Sequence, residues 1–177
     1  MSSPGAPARA RVPSLKVRAL QWLAQREYSR AELRRRLLRI AAPAAGGPDA
    51  AEADAVDNAE ASVDALLDWL ELHRYLSEAR FAESRVHARA GRFGNLRIRQ
   101  ELAQHRVALS AEAEQALKDT ELARAREVWQ RRYGLPAQSA GERARQARFL
   151  TGRGFSADTV RRVLRESGAP TPDDPAA

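Results

Sequence analysis

Arginine supplies nearly all of the positive charge in this chain of 177 residues. Of the 30 basic residues, 28 are arginine, and only Lys16 and Lys118 are lysine. A guanidinium group is a planar fork of N–H donors that matches the oxygen atoms of phosphate and carboxylate groups. The chemistry predicted first is therefore recognition of phosphates or of acidic protein surfaces. A compositional bias, which the 36 alanines support, would also enrich arginine and would leave the surface equally rich in guanidinium.

The arginines fall into three clusters, each of which is a candidate site for binding a partner or a nucleic acid. The clusters comprise Arg34, Arg35 and Arg36; Arg85, Arg89, Arg92, Arg97 and Arg99; and Arg131, Arg132, Arg145 and Arg148. Arg85, Arg89 and Arg92 are spaced i, i+4 and i+7 with no acidic residue in their stripe, which makes them the strongest candidates. For any single arginine, a solvated helix face with an ion pair such as Glu32–Arg36 is the more ordinary explanation.

Other residues that could do chemistry are few. Glu83–His87 and Glu101–His105 are each one helical turn apart, but no third ligand accompanies either pair, so we expect no metal and no cofactor. A P-loop, a nucleophile elbow and a G-x-G-x-x-G motif are all absent from the sequence, and no enzyme class gains support. The G-x-x-G at Gly91–Gly94 is expected to be a loop between helices.

The aromatic residues could stack on bases, but most of them lie at helical spacing among leucine and valine, which favours a place in the core. This group comprises Trp22, Trp69, Trp129, Tyr28, Tyr75, Tyr133, Phe81 and Phe155. Phe93, between Arg92 and Gly94, is the exception. It is either an exposed contact or the anchor of a turn.

Charge is unevenly distributed along the chain. Residues 1–40 carry ten basic and two acidic residues, whereas residues 41–73 carry eight acidic and no basic residues. This asymmetry indicates either a surface that faces a polyanion or neutralisation of one block by the other. The absence of cysteine excludes disulfides and cysteine-based zinc sites and fits a reducing compartment, so we expect a cytoplasmic protein. No apolar run approaches the ~20 residues that cross a bilayer, so no membrane association is expected.

Helix is the only regular structure that the sequence predicts. Val63, Leu66, Leu67 and Leu70 form an apolar stripe at i, i+3, i+4 and i+7. Leu122, Ala125, Trp129 and Tyr133 form a second stripe with helical spacing, at i, i+3, i+7 and i+11. Serine residues mark the predicted helix starts: Ser29 with Glu32 forms a capping box, and Ser77, Ser110 and Ser156 precede acidic or alanine-rich first turns.

Internal similarity indicates a repeat of about 48 residues. The segment 99–117 resembles 147–164, with Leu102 aligned to Leu150 and Val107 to Phe155. The corresponding distance from Leu37 is longer because of an alanine-, proline-, glycine- and acid-rich stretch at about 41–59, which is interpreted as a loop insertion. Three units of three helices each are therefore predicted, stacked into an elongated curved rod.

Three motifs, LELHRYLSEARFAES, RFGNLRIRQEL and RARQARFLTGRGFS, occur in that order and resemble the RecX family of bacterial regulators of the RecA recombinase. The resemblance implies three tandem three-helix repeats and a non-enzymatic protein. It implies binding to the RecA filament on single-stranded DNA, with restraint of its ATPase, strand-exchange and coprotease activities. Two features depart from the family pattern: the acidic insertion, and Arg106, which stands where the family often has glycine. Arg106 predicts a different turn geometry there, because arginine adopts a positive φ less easily than glycine.

These observations give a division into disordered tails at 1–14 and 168–177 and repeats at 15–76, 77–118 and 119–167. We expect a monomer that binds the RecA filament, with single- or double-stranded DNA as a further partner. The alternative is a helical module that binds nucleic acid directly and needs no recombinase. A helical scaffold for some other acidic protein is a third possibility.

Overall fold

The computed structural model describes residues 13–41 and 50–168. These residues form eight α-helices and no strand, which confirms the predicted all-α class. The helices are α1 (Leu15–Leu23), α2 (Arg30–Ala41), α3 (Ala50–Leu72), α4 (Glu78–Ala90), α5 (Asn95–Gln104), α6 (Ala111–Arg132), α7 (Ala140–Gly152) and α8 (Ala157–Glu166). The predicted tails lie outside the described residues, except for Pro13, Ser14 and Gly168. Ser14 is the N-cap of α1.

The chain divides into two compact units, with the division between Ser77 and Glu78. The first unit contains α1, α2 and α3. Its core consists of fully buried leucine, valine and alanine side chains together with Tyr28, which is 2% exposed. Leu33 and Leu37 of α2 pack against Val63, Leu67 and Leu70 of α3, so the stripe predicted from the sequence is the buried face. Each such side chain contributes about 1.5–3 kcal/mol through removal of apolar surface from water.

The predicted loop insertion at 41–59 is corrected by the structure. Residues 42–49 lie outside the described part, but residues 50–59 are helical and form the first half of α3. The last proline or glycine in this stretch is Pro48, and the residues that follow are mainly alanine and acidic residues. Alanine has the highest helix propensity, and acidic side chains near a helix N-terminus interact favourably with its dipole. The composition after Pro48 therefore favours helix.

The second unit holds two apolar clusters, one for each of the remaining predicted repeats. Phe81, Ile98 and Leu102 are buried in the first cluster, with α4, α5 and the start of α6 around them. The second cluster joins α6, α7 and α8 and includes Leu150 and Phe155. Both clusters use α6, which runs without a break through the predicted boundary at 118/119. The two repeats therefore share one long helix where separate helices were expected.

A buried carboxylate on α6 ties these two repeats together. Glu121 is 6% exposed. It accepts a hydrogen bond from the backbone N–H of Asn95 at 2.9 Å, at the start of α5. It also accepts from the hydroxyls of Ser156 and Thr159 at 2.8 and 2.9 Å, at the start of α8. One negative charge thus lies at two helix N-termini, where free N–H groups and the helix dipole favour it.

Arg124 lies one turn further along α6 and completes the junction. Its guanidinium donates hydrogen bonds to the carbonyl oxygens of Ala90, Phe93 and Leu117 at 2.9–3.2 Å, and to the Asn95 side-chain oxygen. Burial lowers the pKa of this arginine from its ordinary value, while the charge of Glu121 acts in the opposite direction. The guanidinium stays charged, as arginine does in proteins.

Backbone hydrogen bonds also join the loop before α5 directly to the turn before α8. The N–H of Gly94 donates to the carbonyl of Arg153 at 2.9 Å, and the N–H of Leu96 donates to that of Gly154 at 3.0 Å. A Cβ atom on Gly94 would lie 2.2 Å from the backbone nitrogen of Phe155. Only glycine permits this approach. The Gly91–Gly94 segment is thus the loop between α4 and α5, as predicted.

The same left-handed turn follows α3, α5 and α7, at Arg74, Arg106 and Gly154. After α5, the N–H of Val107 bonds to the carbonyl of Leu102 at 3.1 Å, and the N–H of Arg106 bonds to that of Ala103 at 3.0 Å. This pair of bonds is the Schellman motif, which satisfies carbonyls at the helix end. Arg106 has a φ of 59° against 83° at Gly154. The expectation that Arg106 would alter the turn is therefore wrong, since the hydrogen bonds and the burial of Val107 hold arginine in this conformation.

We predict that Arg106→Gly stabilises the protein by about 0.5–1 kcal/mol. Removing the Cβ strain of a left-handed residue gains roughly 1–2 kcal/mol, of which part is offset by the greater entropy of glycine in the unfolded chain. The Arg106 side chain is exposed. The measurement is the urea midpoint, with Arg106→Ala as the control, which removes the same side chain but keeps the strain. Equal stabilities of the two variants would contradict the prediction.

A second prediction concerns the junction. Glu121→Ala leaves the donors at the starts of α5 and α8 without their acceptor and removes the charge beside Arg124, so it destabilises the second unit by about 3 kcal/mol. Glu121→Gln keeps one acceptor oxygen and is expected to cost clearly less. Urea unfolding and amide hydrogen exchange of α8 measure both effects. Unchanged exchange at Ser156–Thr159 in the alanine variant would argue against this role.

Candidate partner-binding arginine surface

The three arginines predicted in the first unit have different surroundings. Arg34 is ion-paired with Glu60 and Asp64 of α3, each at 2.7 Å. The Arg36 guanidinium donates to the Tyr28 hydroxyl at 2.9 Å and lies 4.2 Å from the centroid of the Trp22 ring. Arg35 is exposed and has no ion pair among the described residues. Of the predicted cluster, Arg35 is therefore the residue available to a partner.

Acidic residues of α3 neutralise part of the basic helix α2. Besides the contacts of Arg34, the guanidinium of Arg30 pairs with Asp68 at 2.7 Å and with Glu71 at 2.6 Å. Hydrogen bonding and the charge of Arg34 lower the pKa of Asp64 from its ordinary value, and Arg30 adds to this shift. Of the two interpretations of the charge asymmetry, neutralisation of one block by the other accounts for Arg30 and Arg34.

Two of the three arginines in the stripe of Arg85, Arg89 and Arg92 are ion-paired, although the spacing predicts an unpaired stripe. Glu101, on the neighbouring helix α5, lies 2.9 Å from Arg89 and 3.6 Å from Arg85. The stripe contains no acidic residue of its own, but α5 supplies one across the helix–helix contact. Arg92 has no ion pair among the described residues and is exposed. The Glu101 carboxylate of the predicted Glu101–His105 pair is therefore engaged by arginines.

Phe93 lies at the centre of a cluster of cations. Four guanidinium groups lie near its ring centroid: Arg97 at 4.7 Å, and Arg89, Arg92 and Arg153 each at 5.8 Å. An aromatic face attracts cations and so partly offsets their mutual repulsion. Phe93 is half-buried, and its ring holds four guanidinium groups close together at the loop between α4 and α5. Arg99, further along α5, instead faces Glu114 at 3.6 Å.

A groove in the second unit extends from this cluster. Its volume is about 290 Å³, and it is lined by Gly91, Arg92, Val128, Arg131, Arg132, Phe149 and Arg153. We call this site the arginine groove. Its lining contains four arginines from three segments of the chain and no carboxylate. The two repeats joined through Glu121 each contribute part of it.

The arginines of the groove are held without acidic partners. Arg131 donates to the Gly91 carbonyl at 2.6 Å, and Arg153 donates to the Arg92 carbonyl at 3.3 Å. Arg153 also lies 4.9 Å from the Phe149 ring centroid, and Arg132 lies 6.0 Å from that of Tyr133. Each contact uses a carbonyl dipole or an aromatic ring and leaves the positive charge uncompensated. The arrangement therefore suits an anion with several oxygen atoms.

The remaining predicted arginines, Arg145 and Arg148, lie on α7. Both are exposed, and neither has an ion pair within the described ranges. They do not line the arginine groove. The structure thus brings Arg92, Arg131 and Arg132 together in the groove, places Arg97 beside Arg92 at the Phe93 ring, and leaves Arg35, Arg145 and Arg148 as separate exposed positions.

Sequence reasoning missed Arg153 and Phe149. Arg153 precedes Gly154 at the turn after α7. The internal similarity aligns this turn with the turn at Arg106 through apolar residues only, so it gives no signal for Arg153. Its distance of 61 positions from Arg92 gives no local signal of their contact. The backbone bonds from Gly94 and Leu96 to this turn create the proximity.

Most aromatic residues lie in or against the cores, as predicted. Phe81 and Phe155 are each 1% exposed. Tyr75 is the exception, since it is 49% exposed and its ring stacks on Trp69 with 5.7 Å between centroids. It follows a left-handed residue, Arg74, and the turn directs Leu76 into the core in its place.

The described residues thus define an all-helical protein with an exposed arginine surface. In the same part of the chain, no helix is both long and apolar enough to cross a membrane. Two family models match the chain, the second three-helix domain of RecX at residues 77–117 and the third three-helix domain at residues 119–164.

Curated relatives extend the match over most of the chain. A protein of Leptothrix cholodnii named "Regulatory protein RecX" is 51% identical over 154 residues, which cover 86% of this chain and 88% of the relative. Relatives with the same name from Ralstonia nicotianae and Ectopseudomonas mendocina are 46% and 40% identical, over 88% and 83% of this chain and 89% and 90% of their own lengths. The chain belongs to the RecX family of regulatory proteins.

The ion pair of Arg34 with Asp64 predicts an acid dependence of stability in the first unit. Because the pKa of Asp64 is lowered in the folded state, its contribution is present above the ordinary carboxyl pKa of about 3.9 and is lost as the pH falls through the lowered value. Asp64→Asn should therefore lower the urea midpoint at pH 7 and have little effect near pH 2.

The control for this experiment is Asp57→Asn, because Asp57 is exposed on the same helix and has no ion pair among the described residues. Its urea midpoint should follow the wild type at both pH values. Parallel curves for the wild type and Asp64→Asn across this range would contradict the assignment.

Proposed function

We propose that this protein binds the filament that RecA forms on single-stranded DNA and inhibits its ATPase, strand-exchange and coprotease activities. The observation that carries this proposal is the 51% identity over 86% of the chain to a protein named "Regulatory protein RecX". Because the similarity spans both units, the whole chain is expected to act as this regulator. The role is non-enzymatic: binding energy alone changes the state of the filament.

The distribution of free arginines supports this mode of action. Each predicted repeat presents exposed guanidinium groups without acidic partners in the described part, at Arg35, at Arg92 and Arg97, and at Arg145 and Arg148. Exposed contacts of this kind are individually weak. Several of them on one ligand add through effective concentration, so a repetitive filament is a suitable partner. Binding that favours one filament state would slow the transitions needed for ATP turnover.

Two acidic side chains of the second unit are engaged in contacts within the fold. Glu101 is engaged by two arginines and Glu121 by the two helix starts. In the described part of the chain, no group of three metal-ligating side chains comes together. We propose that the protein acts as a monomer in the bacterial cytoplasm, which its lack of cysteine suits.

A second candidate function is direct binding of nucleic acid without RecA, which the arginine groove favours. The two functions differ in what they require. Direct binding needs no recombinase and should weaken steeply between about 50 and 200 mM salt, because it releases counterions from phosphates. Filament binding should be stronger in the presence of RecA than on naked DNA at the same salt concentration.

We predict that the protein lowers the single-stranded-DNA-dependent ATPase rate of RecA, and that Arg145→Glu with Arg148→Glu weakens this inhibition. The concentration for half-inhibition should rise about tenfold, since two exposed attractive contacts become repulsive. The measurement is a steady-state ATPase titration on circular single-stranded DNA. Absence of any effect of the wild type at severalfold excess would contradict the proposed function.

Arg162→Glu with Arg165→Glu is the control for charge. These residues are exposed on α8 in the same unit, lie outside the predicted clusters and have no ion pair among the described residues. The change in net charge is identical. Half-inhibition within about twofold of the wild type is expected. An equal loss in both variants would mean that overall charge, rather than the α7 surface, sets the potency.

A further inference from the structure

The arginine groove has a charge arrangement that folding alone does not explain. Four guanidinium groups surround about 290 Å³ of open space, with no carboxylate among the lining residues. Elsewhere in the described part, arginines that approach another helix are commonly neutralised, as Arg34 is by Glu60 and Asp64 and Arg89 is by Glu101. Like charges at close range repel one another, so an unneutralised cluster is costly unless an anion occupies it.

The orientation of the groups indicates how an anion would be held. Arg131 and Arg153 are fixed by carbonyls of the loop between α4 and α5, and Phe149 lies against the Arg153 guanidinium. These contacts preorganise the cations and leave N–H donors unused, because a guanidinium has more donors than these bonds employ. The guanidinium groups of Arg92 and Arg132 contact aromatic rings but make no hydrogen bond or ion pair in the described ranges, so all of their N–H donors are available.

The density of charge distinguishes between possible ligands. The groove continues into the Phe93 cluster, because Arg92 and Arg153 belong to both, and Arg97 lies 4.7 Å from the centroid of the same ring. The result is a row of adjacent cations beside the apolar lining residues Val128 and Phe149. A nucleic acid strand carries one negative charge per residue and offers sugar and base surface beside it, which fits both properties.

We propose that the arginine groove binds consecutive phosphates of a single nucleic acid strand, with Arg92, Arg131, Arg132 and Arg153 as the contacting cations. Because the groove is built from two repeats joined at Glu121, only the folded junction forms it. The inference deepens the proposed function by naming the chemistry recognised at one surface. It requires no recombinase, so it is tested with this protein and an oligonucleotide alone.

The experiment measures fluorescence anisotropy of a labelled thymidine oligomer of about 20 nucleotides. Arg92→Ala with Arg132→Ala should raise the dissociation constant about tenfold and reduce the slope of log affinity against log salt by about 1.4, because two contacts to a single strand are lost. Arg162→Ala with Arg165→Ala removes the same charge outside the groove and should change affinity less than twofold. Equal losses in the two double variants would overturn the proposal.

A second pair of variants does not remove any arginine. A Cβ atom on Gly91 would meet no atom within 4 Å, so Gly91→Asp adds a carboxylate at a residue that lines the groove, without a clash at Cβ. Gly91→Asn is its neutral counterpart of the same size. Gly91→Asp should weaken oligonucleotide binding severalfold relative to Gly91→Asn, whereas equal affinities of the two would overturn the proposal. Circular dichroism of each variant verifies the fold.

The probes separate a strand from other sources of phosphate. An oligonucleotide with a neutral methylphosphonate backbone should fail to bind, and pyrophosphate should compete only at much higher concentration than the oligomer. Equal binding of the neutral backbone, or competition by pyrophosphate at the concentration of the oligomer, would overturn the assignment to a strand. Because RecA is absent throughout, these results are independent of the ATPase experiment.

Discussion

The buried carboxylate of Glu121 is the interaction on which the second unit depends. It accepts hydrogen bonds from the starts of α5 and α8, and Arg124 on the same helix binds the carbonyls of the loop that precedes α5. Polar groups buried without partners would cost several kcal/mol, so this network allows little variation in the position of one repeat against the other. The position of the α4–α5 loop against the turn after α7 follows from it.

The kind of contact that each arginine makes determines whether it is ion-paired or left without an acidic partner. Where two helices pack side by side, as α2 with α3 or α4 with α5, carboxylates on one helix pair with arginines on the other. Where a loop meets a turn, the arginines find carbonyl oxygens and aromatic rings, which stabilise a guanidinium without cancelling its charge. Four arginines without acidic partners therefore meet at the junction between the second and third repeats.

The left-handed turns at Arg74, Arg106 and Gly154 use one backbone conformation at three helix ends. One hydrogen-bonding pattern ends a helix in each predicted repeat and directs the following side chains. At Gly154 the pattern also requires glycine for space, since a Cβ there would lie 2.6 Å from the Cβ of Arg97. At Arg106 and Arg74 the site is open to solvent, and the hydrogen bonds of the turn outweigh the strain of an L-residue.

The sequence alone determined the all-α class, the apolar stripes, the helix starts at Ser110 and Ser156, and the family. These features are encoded locally, in periodicity, capping residues and motif order. The tertiary structure decided that α6 is shared, that Glu101 pairs with Arg85 and Arg89, and that Arg153 contacts Arg92. Contacts between residues far apart in sequence depend on how helices pack, and a pattern of arginines along one helix carries no information about the carboxylates that a neighbouring helix will bring.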